Sequence, residues 1–96
     1  MPYNIIVKEE AHIDMLQAYQ YYEDEREGLG DLFLSKVQDR IADISNHPEY
    51  YSYIDNKNIL RDVTLNIFPF VIVFEQSGNN VVVYAICSTH IQPRNY

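Results

Sequence analysis

A chain of 96 residues, 47% hydrophobic and 22% charged, makes one domain spanning 1–96 with one modest core, and its composition excludes a disordered protein. Fourteen acids against seven bases leave a net charge of −7, which repels a phosphate backbone at long range and excludes generic nucleic-acid binding, though not a local basic pocket. No apolar run reaches the ~18 residues of a membrane span, the start Met1-Pro2-Tyr3-Asn4 is no signal peptide, and the single Cys87 closes no internal disulfide, so a cytoplasmic protein is expected.

Tyr3 to Lys8 alternates and is β-branched, which predicts a first strand. Glu9 to Glu27 predicts a helix, with Ala11, Met15, Ala18 and Tyr22 on one face and Leu16 and Tyr19 beside them. Glu9, Glu10 and Asp14 place negative charge where the helix dipole favours it. Gly28-Leu29-Gly30 ends this helix through a left-handed exit. A second helix follows from Asp31, its expected N-cap, to Ser45. It shows an apolar face of Phe33, Val37, Ile41 and Ile44 and stops at Asn46-His47-Pro48. So short a connection makes the two helices an antiparallel hairpin.

Residues 47–57 form a tyrosine-rich loop. Asn58 to Leu65 and Phe70 to Gln76 read as strands, with Pro69 at the bend between them. Ser77-Gly78-Asn79-Asn80 is a hairpin turn, and Val81 to Cys87 pairs back. The last two strands are apolar on both faces. Simple alternation sets Phe70, Ile72 and Phe74 against Val71 and Val73, and Val82, Tyr84 and Ile86 against Val81, Val83 and Ala85. A sheet apolar on both faces needs cover on both. The hairpin supplies one cover; the tyrosine loop or a partner chain supplies the other. Nine tyrosines suit either an interface or the rim of a small core.

Metal-free RNA cleavage needs a base, an acid and cations to offset charge on the phosphate. His90 can serve as base or acid, Arg61 and Arg94 can hold phosphate, and Tyr96 can stack on a base or donate a proton. A plainer account fits the same residues: His90 as a surface histidine after a strand, Arg61 as a salt-bridge partner of Asp62, Asp55 or a helix carboxylate. No metal site is read, because His12, His47 and His90 lie far apart and no HxxxH, HxH or CxxC occurs. Glu23-Asp24-Glu25 with Glu27 reads as a solvated acidic helix end. Gly28-x-Gly30 closes a helix and does not open one after a strand, so it is no phosphate loop.

Tyr21-Tyr22, Gly28-Leu29-Gly30 with Phe33, Asn46-His47-Pro48 with Tyr50-Tyr51, Arg61, and Phe68-Pro69-Phe70 occur in an ordered set from Tyr3 to about Pro93. That set resembles the RelE/ParE toxin superfamily of type II toxin–antitoxin and plasmid-stabilisation modules, and its ParE-like branch more closely. The resemblance implies an α+β fold: strand, antiparallel helical hairpin, then a three-stranded antiparallel meander forming a small sheet with helices on one face. It implies a cytoplasmic toxin that arrests growth, needs no cofactor, and is neutralised by a cognate antitoxin. The antitoxin interface implied is Tyr19, Tyr22, Phe33, Val71 and Val73. The ParE-like branch implies DNA gyrase as the target. The RelE-like alternative is a ribosome-associated mRNA nuclease using His90, Arg61, Arg94 and Tyr96. A third alternative is a non-toxic module that keeps only the partner interface. Self-association stays open. The chain departs from the family at Asn66 and Ile67, where basic residues are common, and at Ile91 after His90, where the nucleases place a tail arginine. The last strand has no basic residue at all.

Overall fold

The computed structural model describes residues 2–89. Strand β1 (Asn4–Val7) leads into α1 (Glu9–Glu25) and α2 (Leu29–Asn46), then a 3-10 turn at Pro48–Tyr50, then β2 (Leu60–Thr64), β3 (Phe70–Ser77) and β4 (Asn80–Ser88). The strands form one four-stranded sheet in the order β1-β4-β3-β2. β2, β3 and β4 are the expected antiparallel meander, and β1 joins β4 in parallel, with Ile5 opposite Val81 and Val7 opposite Val83. Both helices lie on one face. Ala11 and Ala18 of α1, Phe33, Val37 and Ile44 of α2, and Val63, Ile72, Phe74, Val81, Val83 and Ile86 of the sheet share one buried core.

The helical hairpin turns more tightly than its glycines alone require. α1 stops at Glu25, and Gly28 takes a left-handed φ of +86° just before α2 begins at Leu29. Asp31 is therefore inside the first turn and is not the N-cap. The first amides of α2 are instead captured from α1: Glu23 accepts from Gly28 N–H at 3.0 Å and from Gly30 N–H at 2.9 Å. Gly30 belongs to the helix, and a Cβ there would sit 2.8 Å from both the Tyr19 ring and the Tyr19 carbonyl. Its role is close approach of the two helices, not the exit that the sequence predicts.

A β-bulge changes which residues of β4 face the helices. Val73 opposes Ala85, but Phe74 opposes Val83, so Tyr84 is the extra residue with no ladder partner opposite it on β3. Val81 and Val83 face the core, and beyond the extra residue Ile86 faces it too. Simple alternation placed Ile86 with Val82 on the other side, and the inserted Tyr84 is why that fails. Past the end of β1, the Ile86 N–H donates to Asp14 Oδ2 at 3.0 Å, tying α1 to the bulged strand. The tyrosine loop does not cover the outer face at Tyr51 or Tyr53. Tyr51 joins the helix-side core against Phe74, and Tyr53 bridges to Arg61 along the edge of β2. None of the described helices is long and apolar enough to cross a membrane.

Candidate functional site

Tyr22 of α1, Phe33 of α2, and Phe68 and Phe70 flanking Pro69 form one aromatic cluster. Centroid separations are 4.8 Å for Tyr22–Phe68, 5.1 Å for Phe33–Phe70 and 5.3 Å for Phe33–Phe68, all edge-on. Edge-on rings pair a positive rim with a negative face, so the cluster fixes orientation as well as burying area. It clamps the turn between β2 and β3 onto the hairpin. That turn is further held by Leu65 N–H to the Phe70 carbonyl at 2.9 Å and Thr89 N–H to the Pro69 carbonyl at 2.7 Å. Arg40 of α2 reaches the same turn, donating from Nε to the Thr64 carbonyl at 2.9 Å and from Nη2 to Asn66 Oδ1 at 3.1 Å.

Arg61 is engaged by the protein itself. Its Nη1 donates to the Tyr51 carbonyl at 2.6 Å and its Nη2 to the Tyr53 hydroxyl at 2.7 Å, while the guanidinium lies 3.9 Å from the centre of the Tyr53 ring. The salt bridge to Asp62, Asp55 or a helix carboxylate that the sequence offered does not form. Asp55 instead accepts from the Ile59 and Leu60 amides, and Arg61 pins the tyrosine loop to β2. Its Nε is buried with no partner among the described residues. His90, Arg94 and Tyr96, the remaining candidates for nuclease chemistry, lie outside the described residues.

The outer face of the sheet is largely apolar and carries two half-buried carboxylates, Asp62 and Glu75. Asp62, Val73 and Ala85 form a cross-strand row there, with Val73 and Ala85 buried. Burial pushes the Asp62 carboxyl above the usual aspartate value. Glu75 on the same face accepts from the Tyr84 hydroxyl at 2.6 Å, and that hydrogen bond, with burial, raises the Tyr84 phenol. Arg61 is the only lysine or arginine on the described strands, and it points to the helix side. Tyr19 is raised by the charges of Asp31 and Glu23, and Tyr22 and Tyr51 are raised mainly by burial. These phenols therefore stay protonated at neutral pH and can donate a hydrogen bond but not act as bases. No group of three or more metal-binding side chains gathers among the described residues.

The residues expected at an antitoxin interface divide. Tyr19, Tyr22 and Val71 keep part of their surface, whereas Phe33 and Val73 are 0% and 2% exposed and have no area to give a partner. The hairpin's exposed large apolar residues are Ile13, Leu16 and Tyr21 on α1, at 43%, 50% and 60%, and Leu32 on α2, at 36%. Sequence reasoning set Leu16 beside the buried face. Ala11 and Ala18 bury that face as the spacing predicts, and Leu16, beside it, is left outside.

No protein-family model matches the chain, and no curated protein matches it. Among solved structures, a chain of the "Chromosomal ParDE TA system from P. aeruginosa" has the same fold. The TM-score is 0.74 at 14% identity, covering 90% of this chain and 95% of that one.

Proposed function

We propose that this chain is the toxin of a type II toxin–antitoxin module, held inactive by a cognate antitoxin in the cytoplasm. Freed, it acts by binding a protein target and not by cutting RNA. Three supports converge: the fold shared with a chain of a ParDE system, the ordered motifs that resemble the ParE-like branch, and the net charge of −7. The observation that carries the choice of mechanism is the state of the cations. Arg61 is spent on Tyr51 and Tyr53, and the outer sheet face presents Asp62 and Glu75. A phosphate approaching that face meets repulsion, and each missing cationic contact to a phosphoryl transition state forfeits roughly 2–4 kcal/mol. DNA gyrase is the target that the ParE-like resemblance favours.

The test is expression of the chain alone from a tight inducible promoter, following viable counts, messenger RNA integrity and plasmid supercoiling. Arrest with intact RNA and relaxed or broken DNA is expected. Arrest with cleaved RNA overturns the binding mechanism in favour of the nuclease that uses His90, Arg61, Arg94 and Tyr96. Full viability under strong expression overturns the toxin reading and leaves a partner-binding module.

A further inference from the structure

Two non-glycine residues among those described adopt left-handed backbone, Asn58 at φ +57° and Ile67 at φ +62°. Asparagine tolerates that region. A β-branched residue does not, because its Cβ substituents crowd the following carbonyl, and isoleucine there is a genuine outlier. Ile67 does not repay this strain by burial. It is 73% exposed, the most exposed of the large hydrophobic side chains described.

The strain is imposed by what surrounds it. On one side Asn66 is held by Arg40 at 3.1 Å, and on the other Phe68 is 8% exposed within the aromatic cluster. Phe70 N–H donates back to the Phe68 carbonyl at 2.8 Å, and Thr89 fastens Pro69 with its amide and its hydroxyl, at 2.7 and 3.2 Å. Helix α2, the core and the end of β4 thus all hold the tip in place. Glycine or asparagine would fill this position at lower conformational cost. The chain instead displays a branched alkyl group, rigidly, at the end of a turn.

We propose that Ile67 is a preorganised apolar anchor that inserts into a hydrophobic pocket on the protein target of the free chain. The inference rests on the proposed function, in which the free chain works by binding a protein. A branched alkyl side chain has no hydrogen-bonding capacity with which to read a nucleic acid, and a chain with net charge −7 does not seek one. A fixed apolar knob has already met the ordering cost that a flexible side chain meets on binding.

The experiment compares the full chain with Ile67→Gly and Ile67→Leu in the inducible arrest assay, alongside thermal melts of the purified proteins. Ile67→Gly should raise Tm by about 4 °C or more, because the backbone strain is relieved and little burial is lost. It should also raise the induction level needed to halve viable counts by about tenfold or more, the loss of one binding anchor. Ile67→Leu should keep arrest near the parent level. Unchanged arrest by a stably folded Ile67→Gly overturns the proposal while leaving the toxin reading intact. A fall in Tm for Ile67→Gly overturns it as well, since the position would then be stabilising the fold. If the parent chain causes no arrest, the toxin reading fails and this proposal fails with it.

Discussion

Ile67 and Phe68 are joined by one peptide bond and meet opposite fates. Phe68 is 8% exposed and packs edge-on against Tyr22 and Phe33; Ile67 is 73% exposed and stands in left-handed backbone. The aromatic cluster around Phe68 gains stability from every ring it buries. The turn tip gains none and is held in place by its neighbours. The contrast separates two kinds of sequence signal. Tyr22, Phe33, Phe68 and Phe70 carry the resemblance to the toxin superfamily, and they are the parts that build the hairpin-to-sheet junction. They therefore report the fold. Asn66 and Ile67 depart from the basic residues of the superfamily that the sequence resembles, and they occupy the exposed tip of the turn, where the proposed anchor stands.

The largest test of that contrast is to remove a ring. Phe33 is fully buried and touches three other aromatic rings. Phe33→Ala should cost about 3–5 kcal/mol, a large share of the roughly 5–15 kcal/mol that holds a domain together. A urea titration should show the midpoint falling sharply with the slope unchanged. A loss below about 1.5 kcal/mol would mean that the cluster repacks freely, and the distinction between structural rings and displayed tip would weaken.

A smaller effect is expected at Gly30, where the hairpin is tightest. Glycine to alanine inside a helix ordinarily stabilises by about 1 kcal/mol. Here the new Cβ would lie 2.8 Å from the backbone oxygen of Tyr19, which cannot swing aside as a side-chain tip can. Gly30→Ala should therefore reverse the usual sign and destabilise by about 1–3 kcal/mol, read from the same urea midpoint. A gain in stability would show that α1 and α2 can separate at little cost. Glu23, which caps Gly28 and Gly30 from α1, would then not be fixing the spacing of the helices.

Much of this architecture was legible in the sequence because it rests on local periodicity. The three- and four-residue spacing of Ala11, Met15, Ala18 and Tyr22 marks the buried side of α1, and Gly78 marks the β3–β4 turn, where it takes φ +59°. What could not be read depends on partners distant in the chain. The bulge at Tyr84 depends on the β3–β4 register and on Asp14 meeting the Ile86 amide 72 residues away. Parallel pairing of β1 with β4 joins the two ends of the fold and leaves no mark in either strand. The sequence offers Arg61 for phosphate or for a salt bridge, and its engagement by Tyr51 and Tyr53 follows from a loop path that no spacing rule encodes. Ile67 stands out in the sequence only as a departure from the family's basic residues; its left-handed backbone leaves no signal, because isoleucine in a turn reads as ordinary until its φ is known.

The two faces of the sheet extend the same contrast to electrostatics, and Asp62 is where it is finest. Its neighbours on β2, Arg61 and Val63, turn toward the helices, while Asp62 opposes Val73 on the outer face. Burial alone raises its pKa above the ordinary value of 3.8, so the folded chain holds the proton more tightly than the unfolded one. Stability from this group therefore falls as pH rises through the raised value and is recovered as pH drops below it. Asp62→Asn removes the charge, so the variant should melt higher than the parent at neutral pH. That advantage should shrink to nothing once pH falls below the ordinary aspartate range, where both side chains are neutral. Part of the group meets solvent, so the gain is small, within about 0.5 kcal/mol or about 2–4 °C in Tm. An asparagine that lowers Tm at neutral pH would mean instead that the carboxylate makes a favourable contact. Asp62 would then belong with the aromatic cluster as structure.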